Sequence, residues 1–306
     1  MEGERVITAG NQATVAVSVA TLWRSPDRVR PVDKPASETP PDVRAWATAM
    51  TETEQIDLLG RTDSQLLLGE RVAVDEVAGD WARVIALGQA SSKDPRGYPG
   101  WMPTGHLAPT RSEAAPTHLV SAVTTSLRNR AAGEVIIGEV IVGTALSVIQ
   151  PGIDGWLPVT VAGRAEPLWV RGQDVVSLPV DRADPVAVAA ALLGTRYVWG
   201  GLSAFGIDCS GLVHLSHRRI GVTLPRDASD QALATASIAF GEEKRGDLYF
   251  FARPGKTIHH VGLVTTAPDA DGTRHMVHAS GGGVGVVEQP VHGERLETLV
   301  SVHRVS

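Results

Sequence analysis

Cysteine is almost missing from the sequence: Cys209 is the only one in 306 residues. Intrachain disulfides, thiolate zinc fingers and iron–sulfur clusters all need more than one, so a single thiol remains to be explained. An excess of basic residues is also missing. Twenty-eight Lys+Arg stand against 34 Asp+Glu, a net charge of −6. No broad cationic surface is left to neutralise a phosphate backbone, which argues against a nucleic-acid partner. Long apolar runs are absent too. The most continuous one, residues 135–149, is too short to span a bilayer and has Glu139 in its middle, so neither a transmembrane helix nor a membrane partner is expected. Residues 13–23 are apolar enough for a signal-peptide core, but the segment before them, Met1-Glu2-Gly3-Glu4-Arg5, is acidic where such a core needs positive charge. A strand is expected there. On this reading a chain that starts at Met1 stays in the cytoplasm, although a secreted protein already relieved of its leader would read the same. What is present, 43% hydrophobic and 20% charged residues, suits globular domains with buried cores.

The length suits two domains, or three if small β-units are among them. A weak repeat supports the second count. Gly79-Asp80-Trp81-Ala82-Arg83-Val84 leads on to Gly100-Trp101-Met102-Pro103, and Asp154-Gly155-Trp156-Leu157-Pro158-Val159 leads on to Leu168-Trp169-Val170. Short Val/Leu/Ile runs with period-two alternation, broken by Gly and Pro, predict hairpins closing into two small barrels, with Trp81, Trp101, Trp156 and Trp169 in their cores. The first unit carries an insertion: Val43, Trp46, Ala47 and Met50 fall at helical spacing, and Thr53, Ile56 and Leu59 suggest a second short helix. Residues 179–184 read as a linker. Beyond it, Asp184 as N-cap, Pro185 at the first helical position and Gly194 past the end mark a helix. A helix after Cys209, another near residues 227–236, and strands at 247–251, 258–265, 274–279 and 284–288 follow. The expected organisation is α+β and multidomain: residues 1–115 with the helical insertion, 116–180, and 181–306.

Eight of the ten histidines lie beyond residue 200, so the polar chemistry is concentrated in the last third. Cys209 stands where loop residues give way to a helical apolar run. At a helix N-terminus, unpaired amides and the dipole favour the thiolate and lower the thiol pKa. Two later histidines, His260 and His278, sit on predicted strands in the order Cys, His, His. A thiolate–imidazolium pair needs an orienting group on the second ring nitrogen, which another histidine can supply. His259 and His260 face opposite sides of their strand, and the pattern alone does not choose between them. His214-x-x-His217 and His275-x-x-His278 lack the carboxylates and spacing of a metal site, so no metal is expected.

These residues carry a resemblance to the NlpC/P60 cysteine peptidases of bacterial cell-wall peptides. Tyr197-Val198-Trp199-Gly200-Gly201, Asp208-Cys209-Ser210-Gly211, Leu224-Pro225-Arg226, Gly246-Asp247-Leu248, His260-Val261-Gly262 and His278-Ala279 fall in the family's order. The resemblance implies a papain-like catalytic domain with Cys209 as nucleophile, His260 as general base and His278 as the orienting third member. Upstream, the repeat resembles bacterial SH3 domains, and the whole architecture resembles γ-D-glutamyl-L-diamino acid endopeptidases. That likeness implies a murein-derived peptide as partner, no cofactor, and a monomer. It also implies a pocket for the free amine of an N-terminal L-Ala, built from Glu70, Tyr98, Asp208, Ser210 and Asp227, with Asp63 as rival to Glu70 and Tyr197 as an oxyanion donor. Ala228 departs from the family, where serine is common after Arg-Asp. The competing readings are a secreted hydrolase of intact wall that uses the β-units as anchors, and a non-catalytic peptide-binding module.

Overall fold

The computed structural model describes residues 6–110, 115–180 and 184–305. The expected domain boundaries near 115 and 180, and most of the 179–184 linker, fall at or beside residues outside that set. The chain is a mixed α/β fold with three large antiparallel sheets.

The first sheet holds β1 (Gln12–Val15), β2 (Val19–Trp23), β3 (Thr62–Leu67), β4 (Arg71–Ala78), β5 (Trp81–Ala86), β6 (Tyr98–Pro103) and β7 (Leu107–Pro109), in the order β3-β2-β6-β5-β4-β1-β7. The apolar segment near the N-terminus is therefore strand. Between β2 and β3 lies the insertion, with α1 (Lys34–Ser37), α2 (Val43–Ala49) and α3 (Glu52–Ile56). Helix α2 starts where Asp42 accepts a hydrogen bond from Ala45 N–H, and it buries Val43, Trp46 and Ala47. Helix α3 starts on a capping box between Thr51 and Glu54, which satisfies two orphan amides at once. Its spacing misleads about the face, because Ile56 and Leu59 are exposed and Gln55 is the buried residue.

The second sheet holds β8 (His118–Val120), β9 (Thr124–Arg128), β10 (Val135–Ile141), β11 (Ala145–Val148), β12 (Trp156–Thr160), β13 (Leu168–Arg171) and β14 (Val175–Ser177), in the order β10-β9-β13-β12-β11-β8-β14. Of the four tryptophans expected in barrel cores, only Trp156 is buried. Trp81 and Trp101 instead pack, half-buried, on the core that the first sheet shares with the C-terminal region.

The C-terminal region begins with α4 (Pro185–Ala190), whose N-cap Asp184 accepts from Val186 and Ala187 N–H. A small hairpin follows, β15 (Leu202–Ser203) with β16 (Gly206–Ile207), and then α5 (Cys209–Arg219) and α6 (Ala228–Leu233). The third sheet joins β17 (Ala236–Ile238), β18 (Leu248–Phe251), β19 (His260–Val264), β20 (His275–Ser280), β21 (Gly285–Pro290) and β22 (Leu299–Arg304), in the order β17-β22-β18-β19-β20-β21, with α7 (Glu294–Thr298) before the last strand. Edge strand β17 and strand β22 were not expected from the pattern. Helix α5 lies on β19 and β20 and is buried from Cys209 to His217.

One hydrophobic core runs through both ends of the chain. It joins Trp23, Trp46, Met50 and Leu67 to Leu212, Leu215, Val261 and Val277. Buried polar bonds stitch the same interface: Leu202 N–H donates to Gln65 Oε1 at 2.8 Å, and Thr62 Oγ1 to the Trp199 carbonyl at 3.0 Å. Gly200, at φ +75°, is required here, since a Cβ would lie 3.2 Å from the backbone of Asp63 and Ser64. The first sheet is thereby held against the loop leading to Cys209.

Candidate active site

Cys209 is the first residue of α5. The N-cap Asp208 accepts from Gly211 N–H at 2.7 Å, satisfying an amide at the helix start. The sulfur faces the backbone N–H groups of Val261 and Ser210. His260, next to Val261 on β19, is buried, and its Nε2 lies 2.7 Å from His278 Nδ1 on β20. The rings meet edge to face at 4.9 Å. His278 Nε2 lies 3.0 Å from Nε2 of the Gln289 side chain on β21. The structure thus brings Cys209, His260 and His278 to one place and adds Gln289. The position opposite His278 is Val287, so Gln289 is its diagonal cross-strand neighbour, a relation visible only once the register is known. His259, just before β19, is exposed at the edge of the cavity onto which Cys209 opens, whereas His260 is buried against His278.

The expected low thiol pKa is corrected by the surroundings. Burial, reinforced by the Asp208 charge, pushes the Cys209 thiol up to about 12, while burial holds His260 well below its ordinary value and His278 down to about 4. Desolvation outweighs the helix terminus, so thiol and imidazoles are neutral at pH 7. Among the described residues Cys209 makes no hydrogen bond to His260, whose Nδ1 is left for an incoming proton.

The thiol opens on a cavity of about 510 Å³. Tyr197, Trp199, Asp208 and Ser210 line it, with Asp63 and Tyr98 from the first sheet, Lys93 from the loop between β5 and β6, and Asp227 and Ser229 from the start of α6. Asp63 lines this cavity and Glu70 does not. The Glu70 carboxylate accepts from Leu67 N–H at 3.1 Å and Gln89 Nε2 at 3.2 Å and is paired with Arg218, on a different cavity lined by Arg71 and His214. It stands in the turn after β3, whereas Asp63 stands near that strand's other end, beside Cys209.

Asp208 lines the cavity, but its charge is already matched. Buried Arg226 grips both oxygens at 2.9 and 2.8 Å, and Gly200 N–H adds a bond at 2.8 Å. Ser210 Oγ is likewise held between Asp208 (3.2 Å) and Arg226 (3.0 Å). Asp208 and Ser210 thus line the cavity as expected, with their polar atoms already engaged by partners within the protein. Arg226, only quoted as part of a motif, organises this corner and also reaches Ser64 Oγ at 3.0 Å. Asp227 is freer. Tyr98 Oη donates to it at 3.0 Å, and burial raises its pKa against the pull of Arg226 and Lys93. The Tyr197 phenol is kept protonated by burial and by neighbouring Cys209 and Asp208.

The other paired histidines make local bonds. His214 Nδ1 lies 2.7 Å from the Leu224 carbonyl, His217 Nδ1 2.9 Å from that of Val213, and His275 pairs with Asp269.

Comparison with known proteins gives a consistent result. The profile of the NlpC/P60 family matches residues 194–304. The chain is 38% identical over 260 residues to the gamma-D-glutamyl-L-lysine dipeptidyl-peptidase of Bacillus subtilis, covering 82% of this chain and 86% of that protein. It is 32% identical over 284 residues to the protein of the same name from Bacillus cereus, covering 88% and 83%. The crystal structure of an NlpC/P60 family protein from Bacillus cereus superimposes with a TM-score of 0.85 at 29% identity, covering 96% of this chain and 99% of that one.

Proposed function

The chain belongs to the NlpC/P60 family of cysteine peptidases, and from that premise we propose that it hydrolyses the amide between γ-linked D-Glu and the diamino acid in murein peptides with a free N-terminal L-Ala. The reading is supported by its relatives, named for cleavage at γ-D-glutamyl-L-lysine, and by the geometry. The observation that carries it is a thiol at a helix start in a cavity to which the first sheet contributes Asp63 and Tyr98, opposite Asp227 at the start of α6. Carboxylates so placed suit a short peptide that ends in an ammonium. In this reading the two N-terminal sheets are SH3-like modules, the first of them forming a wall of the cavity.

The mechanism follows from the neutral resting state. As Cys209 Sγ attacks the scissile carbonyl, its proton passes to His260 Nδ1, so charge separates only as the C–S bond forms. His260 Nε2–H then donates to His278 Nδ1, which steadies the imidazolium. The Cys209 N–H and the Tyr197 hydroxyl donate to the developing oxyanion, each worth a few kcal/mol. Collapse breaks the C–N bond, and His260 gives its proton to the departing amine. Water, deprotonated by His260, then hydrolyses the thioester and returns the thiol. The test is incubation of wild-type protein and Cys209→Ala with L-Ala-γ-D-Glu-meso-diaminopimelate and its L-Lys counterpart, with products identified by mass. Release of L-Ala-D-Glu by the wild type alone is expected; undiminished release by the alanine variant overturns the nucleophile assignment.

A further inference from the structure

The cavity wall already holds an ammonium group. Lys93 lies in the loop between β5 and β6, which is tied to the catalytic region by Ser92 N–H donating to Asp230 Oδ2 at 2.8 Å and Arg226 N–H donating to the Ala90 carbonyl at 3.2 Å. Lys93 Nζ is 3.3 Å from Asp63 Oδ1 and 3.6 Å from Asp227 Oδ2. It also hydrogen-bonds the Tyr98 hydroxyl and sits 4.1 Å over the centre of that ring. Two carboxylates, a phenol oxygen and an aromatic face form a coordination set for an ammonium ion.

Charge balance shows what this costs a ligand. Arg24, Lys93 and Arg226 stand against Asp63, Asp208 and Asp227, each carboxylate within ion-pair distance of one of these cations. A fourth cation entering this partly desolvated corner would be uncompensated. One of the three must move, and the structure distinguishes them. Arg226 is 1% exposed and locked by hydrogen bonds. Arg24 approaches Asp63 alone, from the solvent side, while Lys93 bridges both carboxylates on a long stem that is 35% exposed. Lys93 is the cation that can leave.

We propose that Lys93 is a specificity-determining residue: a tethered ammonium that occupies the amine subsite in the resting protein and that the substrate's N-terminal ammonium must displace. The inference rests on the amine-pocket reading above. A tethered competitor acts at high effective concentration, so it weakens binding of the free-amine peptide without touching the chemistry. Between substrates it also adds to Arg24 in neutralising Asp63 and gives Asp227 an ion-pair partner.

The test compares wild type with Lys93→Met, which keeps the stem and removes the charge, and with Lys93→Gln as a second variant, on L-Ala-γ-D-Glu-L-Lys and its N-acetylated form. Both variants should lower KM for the free-amine peptide about tenfold with kcat within about twofold, and leave KM for the acetylated peptide within about twofold. Binding of the product L-Ala-D-Glu to Cys209→Ala, followed by calorimetry, should tighten by the same factor when Lys93→Met is added. An unchanged or raised KM for the free-amine peptide, with wild type still preferring that peptide, overturns the role of Lys93 alone. Equal wild-type activity on both peptides overturns the amine pocket and the role of Lys93 with it.

Discussion

At Cys209 two effects oppose each other. The helix start favours a thiolate, but the sulfur is buried beside the Asp208 carboxylate, and the thiol is pushed up to about 12. Substrate-free protein should therefore react with iodoacetamide slowly below pH 8, and labelling should quicken only well above it. Rapid labelling at pH 6 would show that the dipole wins. The third member gives a sharper test. The mechanism needs His278 Nδ1 to accept from His260 Nε2–H across their 2.7 Å contact, a role that an amide oxygen can imitate. His278→Asn should keep a clearly larger share of wild-type kcat than His278→Ala, on the order of tenfold more, with similar KM. Equal losses would count against the orienting role. Cys209 and His278 were legible in the sequence from order and local pattern, while His260 was separated from His259 only by the resemblance to the family. Gln289 and the place of Asp63, rather than Glu70, in the cavity were not legible. The first depends on strand register, and the second on which end of β3 faces the cavity, neither of which a spacing reveals.

Helix α5 and its N-cap show how one element serves both stability and the site. Asp208 caps the helix, and Arg226 neutralises Asp208 from the bend just before α6. Gly211 lets the first turn press on the loop that carries Tyr197, since a Cβ there would lie 2.4 Å from the Gly201 carbonyl. Arg226→Met should leave Asp208 buried without its cation and cost roughly 3–5 kcal/mol, read as a lower urea midpoint with an unchanged m-value. A change below about 1 kcal/mol would mean that the pair contributes little. Elements with strong local signals were read correctly from sequence: α4 from Asp184 and Pro185, α2 from its apolar spacing, and the strands that carry His260 and His278. Strand β22 was missed because His303 and Arg304 break its apolar alternation, although its partners β18 and β17 define it by hydrogen bonding.

For the whole molecule, acid sensitivity follows from buried neutral histidines. Burial holds His214 down to about 3 and His278 to about 4, against 6.5 in an unfolded chain. Between those values the unfolded state binds more protons, so stability is full above about pH 6.5 and falls as pH drops, by about 1.4 kcal/mol per unit for each group. Urea midpoints measured from pH 7.5 to 4.5 should decline below pH 6.5, and His214→Asn should lessen the slope by one histidine's share, about 1.4 kcal/mol per pH unit. A flat profile would contradict the buried neutral assignment. The joining of the first sheet to the catalytic region could not be read from sequence, because the shared core and the Gln65, Thr62 and Ser64 contacts link residues more than 130 positions apart. That joining brings Asp63 and Tyr98 to the cavity on which the proposed function depends. The most direct measurement is kcat/KM for L-Ala-γ-D-Glu-L-Lys against the same peptide acetylated at its N-terminus. Loss of a charge-assisted contact at a buried site, about 2–5 kcal/mol, predicts that the free-amine peptide is preferred by roughly 30- to several-thousand-fold. Cleavage of both at the same rate would contradict the closed amine pocket.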